Sequence, residues 1–271
     1  MKQIGLIGAG NMGEAILRGM ISGGFLKAAQ ITVCDASAER MEELAQNALY
    51  KSVTYCDNPI DLVEACDMVI LAVKPHQLRP ILQDVQSVSS GKAFLSIVAG
   101  WTCDRLKHAL SAHGASYLRA MPNTPAMVGE GMTALCREHT FSTDDFDFAK
   151  AIFDTLGKTV VLSESMFDGS VALCGSSPAY VYTLIEAMAD GGVREGIPRT
   201  HAIEMAAQSV LGAALMVLSM DAHPAELRDA VCSPGGVTME AMAVLEESAF
   251  RSAILKAMQR CAEKSRELGE M

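Results

Sequence analysis

Basic charge is scarce in this chain. Lysine and arginine total 22 against 32 aspartates and glutamates, a net charge of −10 over 271 residues. No basic cluster interrupts that balance, so a nucleic-acid phosphate backbone is a poor partner. Aromatic residues make up only 5%, too few for a base-stacking surface. A membrane span needs roughly 20 consecutive apolar residues. The longest run here, Met205–Met220, falls short and reads as a buried core or subunit-interface helix, so no membrane partner is expected. The start, Met1-Lys2-Gln3-Ile4-Gly5, has no charged leader, apolar run or small-residue cleavage site, and a cytoplasmic protein is expected. The eight cysteines contain no C-x-x-C pair. They read as reduced, mostly buried thiols, and no structural zinc or other metal site is expected from their spacing. No repeat or low-complexity stretch is evident.

What is present is a large apolar complement, 50% of the residues, enough for two domains with extensive cores. Up to residue 163 short apolar runs alternate with amphipathic segments. Met68-Val69-Ile70-Leu71-Ala72-Val73 is apolar throughout, the pattern of a strand covered on both faces. Strand–helix alternation predicts an α/β Rossmann-like dinucleotide-binding domain over 1–163. From 164 to 271 the strand signal stops and long segments of helical period follow. They predict an all-α C-terminal domain for substrate binding and dimerisation.

The sharpest motif is Gly8-Ala9-Gly10-Asn11-Met12-Gly13, placed directly after the first strand and at the start of a helix. Glycines at these spacings allow a tight turn, a close approach of pyrophosphate to the backbone, and close helix–strand packing. The helix N-terminus adds unpaired N–H groups and a favourable dipole. About 20 residues on, where an acidic group is expected to meet the ribose, stands Asp35. Its carboxylate could bind both ribose hydroxyls and would repel a 2′-phosphate, unless it is a solvated residue opening the Asp35-Ala36-Ser37 turn. Ala72-Val73-Lys74-Pro75 and Val98-Ala99-Gly100 end the fourth and fifth strands, where ligands of open α/β sheets bind. Met121-Pro122-Asn123-Thr124-Pro125 is a rigid loop with two hydrogen-bonding side chains. In the helical half, Cys232-Ser233-Pro234-Gly235-Gly236-Val237-Thr238 exposes amides at a helix start, an anion site with the Thr238 hydroxyl beside it.

These segments, with Gly175–Tyr180 and His223-Pro224, resemble the pyrroline-5-carboxylate reductase family over nearly the whole chain. The resemblance implies reduction of the ring C=N bond of 1-pyrroline-5-carboxylate to L-proline, the last step of proline biosynthesis, with NADPH or NADH as cofactor. It implies a homodimer assembling to a decamer. It places cofactor contacts on Ile7, Gly8, Ala9, Gly10, Asn11, Met12, Gly13, Asp35, Asn58, Ala72, Val73, Lys74, Pro75, Val98, Ala99 and Gly100. Substrate contacts fall on Glu164, Asp221, Gly236, Val237 and Thr238, with Thr238 the catalytic position. Asp35 departs from the Ser, Thr or Asn that family members often carry, which puts an NADPH preference in question. Two other readings stay open. A β-hydroxyacid or ketopantoate-type reductase is one; the absence of lysine between Lys158 and Lys256 argues against the hydroxyacid enzymes, which carry a catalytic lysine early in the helical domain. A dinucleotide-binding redox sensor without turnover is the other; it would bind NADH without consuming it.

Overall fold

The computed structural model describes residues 2–270. The first strands are short, apolar and buried on both faces: β1 (Ile4–Ile7) is entirely buried. Behind it α1 (Asn11–Ser22) turns Ala15, Ile16, Leu17 and Met20 inward, the i, i+1, i+2, i+5 stripe of a helix lying on a sheet. The chain continues through β2 (Ile31–Cys34), α2 (Ala38–Gln46), β3 (Thr54–Tyr55), α3 (Pro59–Ala65), β4 (Met68–Leu71), α4 (Pro75–Asp84), β5 (Ala93–Ser96), α5 (Cys103–Leu110) and β6 (Ser116–Met121). Helix starts are set locally. Ser37, Asn58 and Thr102 each accept a hydrogen bond from an N–H in the first turn of α2, α3 and α5, which satisfies a donor that would otherwise have no partner.

β7 (Gly131–Cys136), α6 (Thr143–Asp154) and β8 (Gly157–Leu162) complete an eight-stranded sheet of order β3-β2-β1-β4-β5-β6-β7-β8. The six strands β1 to β6 are mutually parallel, β7 runs antiparallel to β6, and β8 is parallel to β7. Strand order reverses between β1 and β4. In open α/β sheets that switch point opens a crevice at the carboxyl ends of the strands. One apolar core fills each face of the sheet, around Leu6, Ile16 and Phe153 on one side and Phe94, Leu106 and Phe167 on the other.

Beyond the sheet come α7 (Phe167–Ser170) and a π turn over Val171–Gly175, then α8 (Ser177–Arg194), α9 (Arg199–Ser219), α10 (Pro224–Val231), α11 (Val237–Glu247) and α12 (Phe250–Glu270). The contacts divide the chain into two compact units, one of Met1–Ser176 with Cys261–Met271 and the other of Ser177–Arg260. Residues 164–176 and the end of α12 therefore pack with the sheet rather than with the helices, because Phe167 and Ala172 are buried against it. Inside the helical unit the buried cluster is small: Ala189, Ala202 and Ala206, backed by Ile185 and Ile197. Among the described residues α9 is the one helix long and apolar enough to cross a membrane; its apolar character runs past the sixteen-residue stretch read from sequence.

Candidate active site

The crevice predicted by the strand order is present. A cleft of about 740 Å³ lies over the carboxyl ends of β1, β2, β4 and β5. Gly8 has φ +99, and a Cβ there would come within 2.5 Å of Ala72 O. A Cβ on Gly13 would lie 2.1 Å from Gly8 O, whereas one on Gly10 would meet nothing within 4 Å. The first and third glycines are thus needed for packing, and the second leaves open space beside the N-terminus of α1. Because Glu14 N–H reaches Gly10 O, the first-turn amides of Asn11, Met12 and Gly13 remain for a ligand. That arrangement fits a pyrophosphate, and the cleft is large enough for the nucleotide halves on either side.

Of the sixteen expected cofactor positions, eleven line the cleft: Ile7, Gly8, Gly10, Asn11, Met12, Asp35, Ala72, Val73, Lys74, Pro75 and Ala99. Ala9 and Gly13 lie beneath the loop. Three others are displaced from it. Asn58 Oδ1 accepts the Ile60 N–H at 2.9 Å, so its side chain caps α3 and the flanking Asp57 and Pro59 face the cleft instead. Val98 is buried in the core, and Gly100 borders a second, smaller cleft. The Met121–Pro125 loop divides its work. Asn123 is buried with both ends of its amide used, Oδ1 accepting Met132 N–H and Nδ2 donating to Cys174 O. Pro122 and Thr124 line the cleft.

Asp35 satisfies both sequence readings at once. Its Oδ1 accepts the Ser37 N–H at 2.9 Å, closing the turn, and its Oδ2 accepts the Ala9 N–H at 2.6 Å, which pins the carboxylate beside the glycine loop. Arg40, which sequence reasoning missed, donates from Nε to Ala9 O at 2.8 Å and pairs with Glu14 and Glu43. The Glu14 carboxyl is partly buried, which works against its charge. Arg40 and Arg18 outweigh that and hold it below the ordinary carboxyl value. Arg40 is therefore already neutralised. Cys34, at the cleft edge, is pushed up to about 12 by burial and the nearby Cys56 thiol, so it is no nucleophile at neutral pH.

The expected substrate residues divide between the two units. Glu164 does not line the cofactor cleft. Its Oε1 pairs with Arg119 Nη1 at 2.5 Å and accepts the Cys103 N–H at 3.1 Å. Burial disfavours its charge, and Arg119 with the neighbouring cysteines more than offsets that, keeping the carboxyl below its ordinary value. In the helical unit Asp221 is exposed just after α9. Gly236 caps α11, and Val237 and Thr238 are its first two residues. A turn with Gly235 at φ +67 and Gly236 N–H bonded to Ser233 O leads into it. Met239 N–H already reaches Gly236 O, so the amides left for a ligand are those of Val237 and Thr238. His223 proves to be a cap: its Nδ1 accepts the Ala225 N–H at 3.1 Å at the start of α10.

Residues 164–268 match the family model described as pyrroline-5-carboxylate reductase dimerisation, and residues 3–100 match NADP oxidoreductase coenzyme F420-dependent. The chain is 41% identical over 270 residues to the pyrroline-5-carboxylate reductase of Escherichia coli strain K12, covering 99% of both chains. The chain belongs to the pyrroline-5-carboxylate reductase family. A Synechocystis pyrroline-5-carboxylate reductase is 38% identical, covering 99% of this chain and 98% of its own. The solved pyrroline-5-carboxylate reductase of Coxiella burnetii superposes with a TM-score of 0.90 at 30% identity, covering 100% of this chain and 99% of its own. That of Plasmodium falciparum, with NADP bound, gives 0.89 at 28%, covering 99% and 98%. The reductase family thus accounts for both units, sheet and helices, in one alignment.

Proposed function

We infer that this chain reduces the ring C=N bond of 1-pyrroline-5-carboxylate to L-proline with NAD(P)H. The observation that carries this is the glycine loop and open cleft at the sheet's switch point, in a chain 41% identical to a reductase of that name along its full length. When bound, the dihydronicotinamide supplies a hydride to the imine carbon. The chain's own residues have lighter work than in a ketone reductase. The ring nitrogen is basic and can arrive protonated, so no strong acid is required and orientation dominates. The absence of lysine between Lys158 and Lys256 agrees with that economy.

The substrate carboxylate is assigned to the Val237 and Thr238 amides at the start of α11, where the helix dipole favours an anion. The Thr238 hydroxyl then bonds the ring nitrogen and fixes which face of the C=N bond is presented. Asp221 and Gly236 complete the substrate contacts. Glu164 is given no direct contact, since its carboxylate is committed to Arg119. Asp35 supports NADH over NADPH, or at least no strong NADPH bias. It sets a negative charge where a 2′-phosphate would lie, and Arg40 is held by Glu14 and Glu43. The apolar helices support a homodimer, assembling further to a decamer, in the cytoplasm.

The test is a coupled assay. NADH absorbance should fall only after the imine is added, with one proline formed per NADH consumed. Binding of NADH without consumption in the presence of imine would replace the reductase with a sensor.

A further inference from the structure

On the α5 side of the sheet, away from the cofactor cleft, three donor groups converge from distant parts of the chain. Cys103 is the first residue of α5, Cys136 the last of β7, and Glu164 follows β8. Cys103 Sγ lies 3.2 Å from Cys136 Sγ, and Cys136 Sγ lies 3.1 Å from Glu164 Oε2. All three donor atoms fall within 4.8 Å of one another. Both cysteines are buried. Glu138 Oε2, 3.3 Å from Cys136 Sγ, approaches from the exposed side.

We propose that Cys103, Cys136 and Glu164 bind a thiophilic divalent cation, zinc foremost, with Glu138 or water as the fourth ligand. Two soft sulfurs and one carboxylate oxygen are a donor set suited to zinc. A tetrahedral ion about 2.3 Å from each sulfur holds them roughly 3.8 Å apart, so the pair need only open by about half an ångström. A disulfide, at about 2.05 Å, would need the sulfurs to close by about twice that and would leave Glu164 Oε2 without purpose. The carboxylate is also oriented as metal-ligating groups are, by hydrogen bonds to its other oxygen. Glu164 Oε1 is held by Arg119 and the Cys103 N–H, leaving Oε2 facing the sulfurs. Charge closes as well. Two thiolates and a carboxylate carry three negative charges, and a divalent cation with the Arg119 guanidinium supplies three positive ones. An entry path exists: a cleft of about 280 Å³ reaches Glu164 between Thr102, Asp168 and Ser265.

Spacing concealed this cluster. Its donors are 33 and 28 residues apart in the chain, and only the pairing of β7 with β8 and the start of α5 bring them together. The ion would clip α5 to the antiparallel end of the sheet.

The test uses the full-length protein, reduced and stripped of metal, titrated with Co²⁺ and then Zn²⁺. One equivalent of cobalt per chain should raise a thiolate-to-metal charge-transfer band and the visible bands of a four-coordinate ion. Zinc should bleach both one for one and raise the melting temperature. Cys136→Ser should abolish the bands. Arg119→Gln should weaken cobalt affinity about 10- to 100-fold. Cys34→Ser/Cys56→Ser, which removes the other neighbouring thiol pair, should keep the bands. The proposal is overturned if the wild-type protein gives no bands, if the bands survive Cys136→Ser, or if intact mass shows the pair two hydrogens lighter as a disulfide that reductant-free storage forms in preference to binding metal. The wild-type titration alone decides the matter should a variant fail to fold.

Discussion

The sheet unit and the helical unit use the same apolar composition in opposite ways. In the first, Leu6, Ile16, Phe94, Phe153 and Phe167 are fully buried, and the two faces of the sheet are closed by the chain's own helices. In the second, the buried cluster consists of three alanines, while Leu218 is 82% exposed, Leu255 69% and Val231 67%. The contrast separates a unit that completes its own core from one whose core must be completed by another copy. Exposed apolar patches of this extent mark an interface. Leu211, Leu215 and Leu218 are all exposed and stand at i, i+4 and i+7 on α9, one stripe of the helix. Chemistry follows the same division: the cofactor loop belongs to the self-sufficient unit, and the proposed substrate residues belong to the dependent one.

The contrast breaks most severely at α9. Leu215→Glu would place an unpaired charge in an apolar interface, at a cost of several kcal/mol. It should dissociate the dimer and lower kcat/KM by more than about 100-fold. NADH binding should survive, read by quenching of Trp101, the one tryptophan, whose Nε1–H donates to the carbonyl of cleft residue Pro75 at 3.2 Å. Loss of both properties together would show that the sheet unit is not independent.

Next in size is Thr238→Ala. Removing a hydrogen bond to a charged group costs about 1.5–3 kcal/mol, so kcat/KM should fall about 10- to 150-fold. The melting temperature should move little, because Gly236 rather than Thr238 is the cap of α11. Normal kinetics with a lowered melting temperature would make Thr238 a structural residue.

Asp35→Ser sharpens the comparison from the cofactor side. It should raise the NADPH-to-NADH ratio of kcat/KM by about 10-fold, equivalent to about 1.4 kcal/mol, with no change in association state. A parent enzyme already favouring NADPH tenfold would refute the reading of Asp35.

The smallest effect belongs to Glu14→Gln. The Glu14 carboxyl is held below its ordinary value, so its contribution to stability is fully present above the ordinary carboxyl range and is lost as pH falls through the lower folded value. The variant should be less stable by about 1 kcal/mol at pH 7, and the two proteins should converge below about pH 4. Thermal melts across that range check it. Freeing Arg40 from Glu14 should also ease the use of NADPH.

The sequence patterns anticipated all eight strands and all five long C-terminal helices, because each carries a local period or an uninterrupted apolar run. They also located the glycine loop, whose constraints are local. They were silent on direction: the reversal at β7 depends on pairing with β6, which no run of residues encodes. Asn58 was taken for a cofactor contact, although Asn58-Pro59 is itself a helix-start signal and the cap reading was available. Arg40 had no such signal. It is one more polar residue on an exposed-looking helix, and its bonds to Ala9 and Glu14 exist only once α2 has packed beside the loop. The Cys103–Cys136–Glu164 cluster was hidden for the same reason, since long-range pairing creates it.

Light scattering across a chromatographic peak, with activity assayed in the same fractions, tests the division between the two units most directly. At micromolar concentration all reductase activity should coincide with a species of at least two chains, and dilution that releases single chains should release them inactive. A stable single chain with full activity would contradict the account, because the exposed face of α9 would then need no second copy to cover it.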